Sequence, residues 1–465
     1  MTVRVGRKAA AVAGMAAFSL VLAACGSDDD GDAGATGDAA GGVSEDCPAE
    51  VQEILDDFGD LSGEEVYFYT SITGTEDQPY IDSFVPFEEC SGVEVVFEGT
   101  QEFESQLIVR IQSGNPPDMA LFPQPGLLET IVTQTGAVLP ASAEVEALVD
   151  EGWAESFKSY GTVDGTFYAA PVSTDMKSFV WYSPSLFEEA GYTIPETWDE
   201  MIALTDQMLV DYPDTKPWCA GIFFGDASGW PATDWMEDLM LRLHGRDVYD
   251  QWITNELPFN SPEVAEALDY AGRILKNPDY VNGGFGDVQT IATTDFRDAG
   301  QPILNDECFM HRQASFYQAN WPEGTTVAED GDVFAFYFPV LEQTEGTPIL
   351  MGGTFAARFV ESDAAEAFQR YLATPYWANE KIKLSGQGWI SANKGVDTAN
   401  LVSPIDVLAT ESLTDPEAIV GFDASDLMPG EVGTGSFWTQ MIEWIANDKP
   451  DEDVLNAIQD SWPSS

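Results

Sequence analysis

The sequence predicts an α/β fold, and three observations carry that expectation. Short runs rich in β-branched and aromatic residues alternate with stretches of helical periodicity. Glycine, proline, serine and threonine stand where such elements should start and stop. A hydrophobic fraction of 44% and an aromatic fraction of 12% suffice for a large buried core. Strands alternating with helices imply βαβ units and a parallel sheet.

Taken in order, residues 64–70 and 93–97 read as strands, with a helical stretch around 79–89 between them. Residues 102–113 have helical periodicity and run into Gly114, which fits a C-cap. Residues 118–122 form a short buried strand. From Trp181 to Tyr192 the pattern restarts: a strand, Pro184, a short helix and a stop at Gly191. Helices are expected over 197–210, with Thr197 as N-cap, and over 262–277, with Ser261 as N-cap and proline at the first helical position. Residues 363–373, 437–447 and 453–462 complete the helices. No internal repeat and no second apolar span is evident.

The first 24 residues read as a secretory leader. Arg4, Arg7 and Lys8 precede an apolar run over 9–22 that is too short to span a bilayer as a helix. The run ends at Leu22-Ala23-Ala24-Cys25, which resembles the lipobox of bacterial lipoproteins. An acylated Cys25 would hold the chain on the outer face of the cell membrane. Residues 25–45 carry almost no bulky apolar side chain and should form a self-repelling tether. The acidic run Asp28-Asp29-Asp30-Gly31-Asp32 lacks the glutamate a calcium loop needs, so it reads as a solvated spacer.

Charge narrows the possible partners. The formal net charge is −61, and about −64 without the leader's three basic residues. Such a surface repels phosphate backbones and excludes nucleic acid as a partner. It also opposes docking on anionic lipid heads, which is consistent with a long tether. With Cys25 set aside, Cys47, Cys90, Cys219 and Cys308 remain. An even number outside the cell suggests two disulfides, with three possible connectivities. We favour Cys47–Cys90 and Cys219–Cys308, one within each half, each stabilising by roughly 4 to 4.6 kcal/mol in the chain-entropy model. A metal site is the weaker reading, since there is no C-x-x-C pair and only His244 and His311 are available. No cofactor is implied either: there is no phosphate loop, no H-E-x-x-H and no G-x-S-x-G.

A set of local motifs points further. They include Gly99-Thr100-Gln101-Glu102-Phe103-Glu104, then Ser113-Gly114-Asn115-Pro116-Pro117-Asp118-Met119-Ala120, and Phe122-Pro123-Gln124-Pro125-Gly126. Gly229-Trp230-Pro231-Ala232-Thr233-Asp234-Trp235, Met351-Gly352-Gly353 and Ser391-Ala392-Asn393-Lys394 follow. Asp426-Leu427-Met428-Pro429-Gly430 and Phe437-Trp438 close the series. In this order, behind a lipobox, the chain resembles the family 1 extracellular solute-binding proteins of ABC sugar importers, in the α-glucoside-like branch. The resemblance implies a two-lobed periplasmic-binding-protein fold of the class II type, with the ligand cleft between the lobes. It places lobe 1 at 46–172 plus about 345–397, and lobe 2 at 173–344 plus about 398–465. Crossings are implied near 171–175, 339–348 and 396–402. The partners it implies are an oligosaccharide, membrane permease subunits and a membrane reached through the lipid anchor, with the protein itself a monomer.

A sugar ring needs aromatic platforms for its C–H faces and polar groups for its hydroxyl rim. The chain has 13 tryptophans, a generous supply. The resemblance puts Trp438 on a sugar ring; Trp230, at the start of a Gly-Trp-Pro loop, and Trp389 are further platforms. For the rim the candidates are Asp175 after the first crossing, Gln124 at a strand end, Glu102 at a helix start, and Asp234 and Asp426. Gly353, with Gly352, should bring backbone close to ligand or hinge. Arg312 and Gln313 are additional, unranked candidates. The structural alternatives are core packing for the tryptophans, a salt bridge between Asp175 and Lys177, a cap at Glu102, and turns at Asp234 and Asp426. The function expected is capture and delivery of an oligosaccharide, with no catalysis. A lipid-anchored glycan adhesin and a glycoside hydrolase are the alternatives; with 80 acidic residues, a suggestive carboxylate pair carries no weight.

Overall fold

The computed structural model describes residues 47–463. The leader, Cys25 and the tether lie outside the described residues. No helix among the described residues is long and apolar enough to cross a membrane.

Eleven strands are assigned among these residues: β1 (Glu65–Thr70), β2 (Glu94–Gly99), β3 (Met119–Phe122), β4 (Thr162–Val163), β5 (Thr166–Phe167), β6 (Ala169–Met176), β7 (Phe179–Tyr182), β8 (Met310–Arg312), β9 (Phe334–Tyr337), β10 (Thr347–Arg358) and β11 (Ala418–Phe422). A six-stranded sheet runs β11-β10-β3-β1-β2, with β6 also paired to β10. A three-stranded sheet runs β8-β7-β9, and β4-β5 is a small hairpin.

The first half follows the βαβ rule. β1 pairs in parallel with β2 and β3, across connections that contain the helices Asp77–Ser91 and Phe103–Gln112. The parallel expectation holds again for β10 and β11 and fails at the other pairings. β10 is antiparallel to both β3 and β6, and the three-stranded sheet is wholly antiparallel. β10 is also longer than any strand read from the sequence. Its residues are buried along nearly all of its length, so it has no alternating pattern to betray it.

Local signals at helix ends were read correctly. Thr197 and Glu200 form a capping box before Trp198–Asp211, and Ser261 caps Pro262–Leu275. Gly191 stops Pro184–Ala190 in the left-handed region that glycine adopts freely. The Gly-Trp-Pro segment is a correction. Trp230 is not in a loop; it opens the helix Trp230–Ile253, and Pro231 sits in the first turn, where its missing N–H costs nothing.

The core is aromatic-rich. Phe84 and Phe368 meet edge-on across Phe68 of β1, which joins the sheet to its covering helices. The disulfides join Cys47 to Cys90 and Cys219 to Cys308, with Cα–Cα distances of 5.6 and 5.8 Å.

Candidate functional site

The carboxyl ends of β1, β3 and β11 converge on one cavity, the usual place for a ligand on an open α/β sheet. Its volume is ≈ 1040 Å³ including space open to solvent. Residues 173–175 of β6 and 352–354 of β10 form part of the wall.

Aromatic side chains line much of the rest. Trp230 is half-buried and meets the ring of Phe296 edge-on at 5.1 Å and that of Phe316 at 6.0 Å. Trp438 is 2% exposed, and its indole N–H donates to Ser425 Oγ at 3.1 Å. Gly229 lets these two approach. Its φ is +110°, and a Cβ there would lie 2.4 Å from the Trp438 carbonyl oxygen. Trp389 donates to the Tyr80 hydroxyl at 2.9 Å. Its segment is tied to β6 by the Thr174 N–H bonding to the Ile390 carbonyl at 3.0 Å.

The polar wall has an unusual balance. Gln124 Nε2 donates to Glu104 Oε1 at 3.0 Å, while Glu104 Oε2 and Gln124 Oε1 are buried without a protein partner. Burial pushes the Glu104 carboxyl up to about 7. Asp175 Oδ1 is also buried and unpartnered. Burial raises the Asp175 carboxyl to about 6 against the pull of Lys177. Buried polar atoms are ordinarily satisfied, so these three acceptors leave unused hydrogen-bonding capacity around the cavity.

Beneath them lies a buried ion network. Lys177 Nζ contacts Asp423 Oδ2 at 2.5 Å and Asp234 Oδ1 at 3.2 Å, and lies 4.9 Å from the centre of the Trp230 ring. Arg312 pairs with Asp234 at 3.4 Å and Asp238 at 2.7 Å, and Arg242 pairs with Asp238. Burial works against the Lys177 ammonium, but Asp234, Asp423, Asp426 and Asp175 together hold its pKa well above the usual lysine value. Asp423 is held low: burial opposes its charge, but Lys177 and donors from Ser425 and the Asp426 N–H outweigh that. Glu237 and Asp426 are pushed up, first by burial and then by the neighbouring Asp423. Gly352 makes room for this arrangement: a Cβ there would lie 2.9 Å from both Asp175 Oδ2 and Lys177 Cε.

The cavity gathers Trp438, Trp230, Trp389, Asp175, Gln124, Asp426 and Gly353 from the residues singled out in the sequence. Glu102 and Asp234 are not among the lining residues. Glu102 is exposed and does not line the cavity, whereas Glu104 in the same helix does, because burial of Phe103 and Leu107 turns that stripe inward. Asp234 is fully buried behind Lys177 and serves the ion network. Arg312 and Gln313 also sit inside the protein, away from the cavity wall. Gly352 and Gly353 are in β10, paired with Asp175 and Thr174 of β6. Sequence reasoning missed Glu76, Glu104, Lys177 and Asp423 as lining groups, together with Tyr80, Phe224, Phe296 and Phe316. Asp234, Glu237 and Asp423 lie close enough to hold a metal ion, but the Lys177 ammonium already bonds to two of them.

Comparison with known proteins bears on family and fold. A family model described as bacterial extracellular solute-binding protein matches residues 69–375. The chain is 36% identical over 417 residues to the α-glucosides-binding periplasmic protein AglE of Rhizobium meliloti (strain 1021), covering 87% of this chain and 88% of that protein. It is 37% identical over 412 residues to the osmoprotective compounds-binding protein GgtB of Synechocystis sp., covering 87% and 94%. Among solved structures, the bacterial solute receptor AcbH superposes with a TM-score of 0.71 at 18% identity, over 86% of this chain and 98% of that one. Maltose-bound T. maritima MalE3 gives 0.66 at 16% identity, over 86% and 98%. These two likenesses establish the α/β periplasmic-binding-protein fold.

Proposed function

The chain belongs to the bacterial extracellular solute-binding proteins and is the solute-binding component of an ABC transporter for sugars or osmolytes; from that premise we propose that it captures a neutral α-glucoside of about disaccharide size. It is a binding protein and not an enzyme. The observation that carries the ligand class is the pairing of aromatic surfaces with the three unpartnered acceptors Glu104 Oε2, Gln124 Oε1 and Asp175 Oδ1. Sugar hydroxyls donate to such acceptors, and ring C–H faces lie on indole. The α linkage is supported by the Rhizobium relative, whose name gives α-glucosides as its ligand.

In this reading Trp230, Trp438 and Trp389 are the platforms, and Asp175, Gln124, Glu104 and Asp426 take the hydroxyls, with the Gly353 backbone close by. Glu102 and Asp234 are not retained. The lobes proposed from the sequence close over the ligand, and the ligand shifts the population only by its differential affinity for the closed state. Micromolar affinity corresponds to about −8 kcal/mol, within reach of stacking plus a few hydrogen bonds. A lipid on Cys25 and the 25–45 tether would keep the body near the permease subunits that receive the sugar.

A small polar osmolyte is the second reading, favoured by the Synechocystis relative. A thermal-shift screen against mono-, di- and trisaccharides and polyol or betaine osmolytes separates the two. At a hundredfold excess over Kd, the true ligand stabilises by about 2.7 kcal/mol. A shift with an α-linked disaccharide, which remains intact on long incubation, supports the sugar reading. A shift only with osmolytes replaces it.

A further inference from the structure

A second chamber, ≈ 490 Å³ including space open to solvent, lies beside the main cavity and shares Glu76, Tyr80, Gly388 and Trp389 with it. The hydrogen-bonded Tyr80–Trp389 pair belongs to the walls of both. Lys381 lines the chamber and is 2% exposed. Its Nζ donates to Ser385 Oγ at 2.8 Å and lies 4.1 Å from the Tyr80 ring centre and 5.4 Å from that of Trp389. Among the described residues, the other buried lysine and arginines (Lys177, Arg242, Arg312, Arg358 and Arg370) each have a carboxylate partner. Lys381 has none. Buried charges are ordinarily paired, so its ammonium has unused donors facing a cavity.

Glu76 faces the same space. Among the described residues, its carboxylate accepts one hydrogen bond, a long one from Asn320 Nδ2 at 3.4 Å. An ammonium donor and a carboxylate acceptor on one chamber suit a hydroxyl, which accepts from one and donates to the other. An anion would meet Glu76 and a protein of net charge −61.

We propose that this chamber is a further subsite in which Lys381 and Glu76 clasp the hydroxyls of an additional unit of the same ligand. The proposal rests on the α-glucoside reading above and extends it to ligand length. Burial lowers the pKa of Lys381, and the charge of Glu76 across the chamber opposes this only in part.

The test is calorimetric titration of the unmodified protein and of Lys381→Met with glucose, maltose, maltotriose, maltotetraose and maltobionate. Methionine keeps the apolar stem against Tyr80 and Trp389 and removes the ammonium. In the unmodified protein, affinity should rise about tenfold at one chain length, as expected of hydrogen bonds to charged groups. Lys381→Met should erase that rise and leave the shorter sugars unaffected. No rise at any length, or an equal loss at every length in the variant, overturns the subsite. Tighter binding of maltobionate than of maltotriose, lost in Lys381→Met, makes the chamber an anion site and also overturns it. Binding of maltose without any length effect defeats this inference alone, whereas failure of every α-glucoside defeats the ligand class beneath it. If Lys381→Met does not fold, maltotriose O-methylated at either terminal unit is titrated into the unmodified protein. Retention of the rise with both derivatives overturns the subsite.

Discussion

Two buried lysines, one lining the main cavity and the other the chamber beside it, meet opposite electrostatic fates. Lys177 is surrounded by Asp175, Asp234, Asp423 and Asp426, which hold its charge firmly despite burial. Lys381 is buried against Tyr80 and Trp389 with no ion pair among the described residues, and burial lowers its pKa to about 7. Desolvation is severe for both; the number of carboxylates within reach decides the outcome. The Lys177 side is therefore an ion-paired support, and the Lys381 side keeps hydrogen-bonding capacity in reserve.

The sharpest break of this comparison is Lys177→Met. It strands Asp234 and Asp423 without their shared cation and should cost about 3–5 kcal/mol in chemical denaturation. A loss below 1 kcal/mol would mean that the cluster is neutralised mainly by protonation.

Next in size is the pH dependence. Glu104, Asp234, Asp175 and Glu76 have folded pKa values raised to about 7, 7, 6 and 6. The folded state thus binds more protons than the unfolded chain between their ordinary values and these. Their contribution is fully present below the ordinary carboxylate range and is lost as pH rises toward 7. Each group contributes a slope of up to about 1.4 kcal/mol per pH unit inside its window. The melting temperature should fall from pH 5 to pH 7.5, and a flat profile would contradict the buried carboxyls.

Trp438→Phe comes third. It keeps an aromatic face but loses the indole hydrogen bond to Ser425, and affinity should drop about tenfold, or 1.4 kcal/mol. Trp438→Ala is the poorer test. The side chain is 2% exposed, and truncation would cost about 3–5 kcal/mol in packing.

The smallest effect is that of Lys381→Met on stability, between zero and about 1 kcal/mol in favour of the variant at pH 6. The sign is opposite to that of the carboxyls. A lysine with a lowered folded pKa costs stability while both states are protonated, and that cost fades as pH rises from about 7 toward 10.5. The advantage of the variant should therefore shrink across that range. A loss of several kcal/mol would show that Lys381 has a structural partner after all.

What was legible in the sequence follows from how local each signal is. Thr197, Ser261 and Gly191 mark helix ends through their own side chains or backbone, so they could be read directly. The cysteine pairing followed from number and proximity along the chain. β10 was not legible because a strand buried on both faces has no alternation, and its paired glycines resemble a turn. Within the site, Glu102 was singled out and Glu104 was not, and helix phase separates the two. Glu104 and Leu107 share one inward stripe three residues apart, a spacing that was available to sequence reasoning. Asp234 could not be placed, because its role depends on Lys177 and Arg312, 57 and 78 residues away.

The most direct test of the account is titration of Trp230→Ala with the α-linked disaccharide that stabilises the unmodified protein most. Trp230 is half-buried, so its face is offered to the cavity at modest structural cost. A sugar stacked on Trp230 requires at least a tenfold loss of affinity, about 1.4 kcal/mol, with the folded state retained. Unchanged affinity in a folded Trp230→Ala would contradict the placement of the sugar in this cavity.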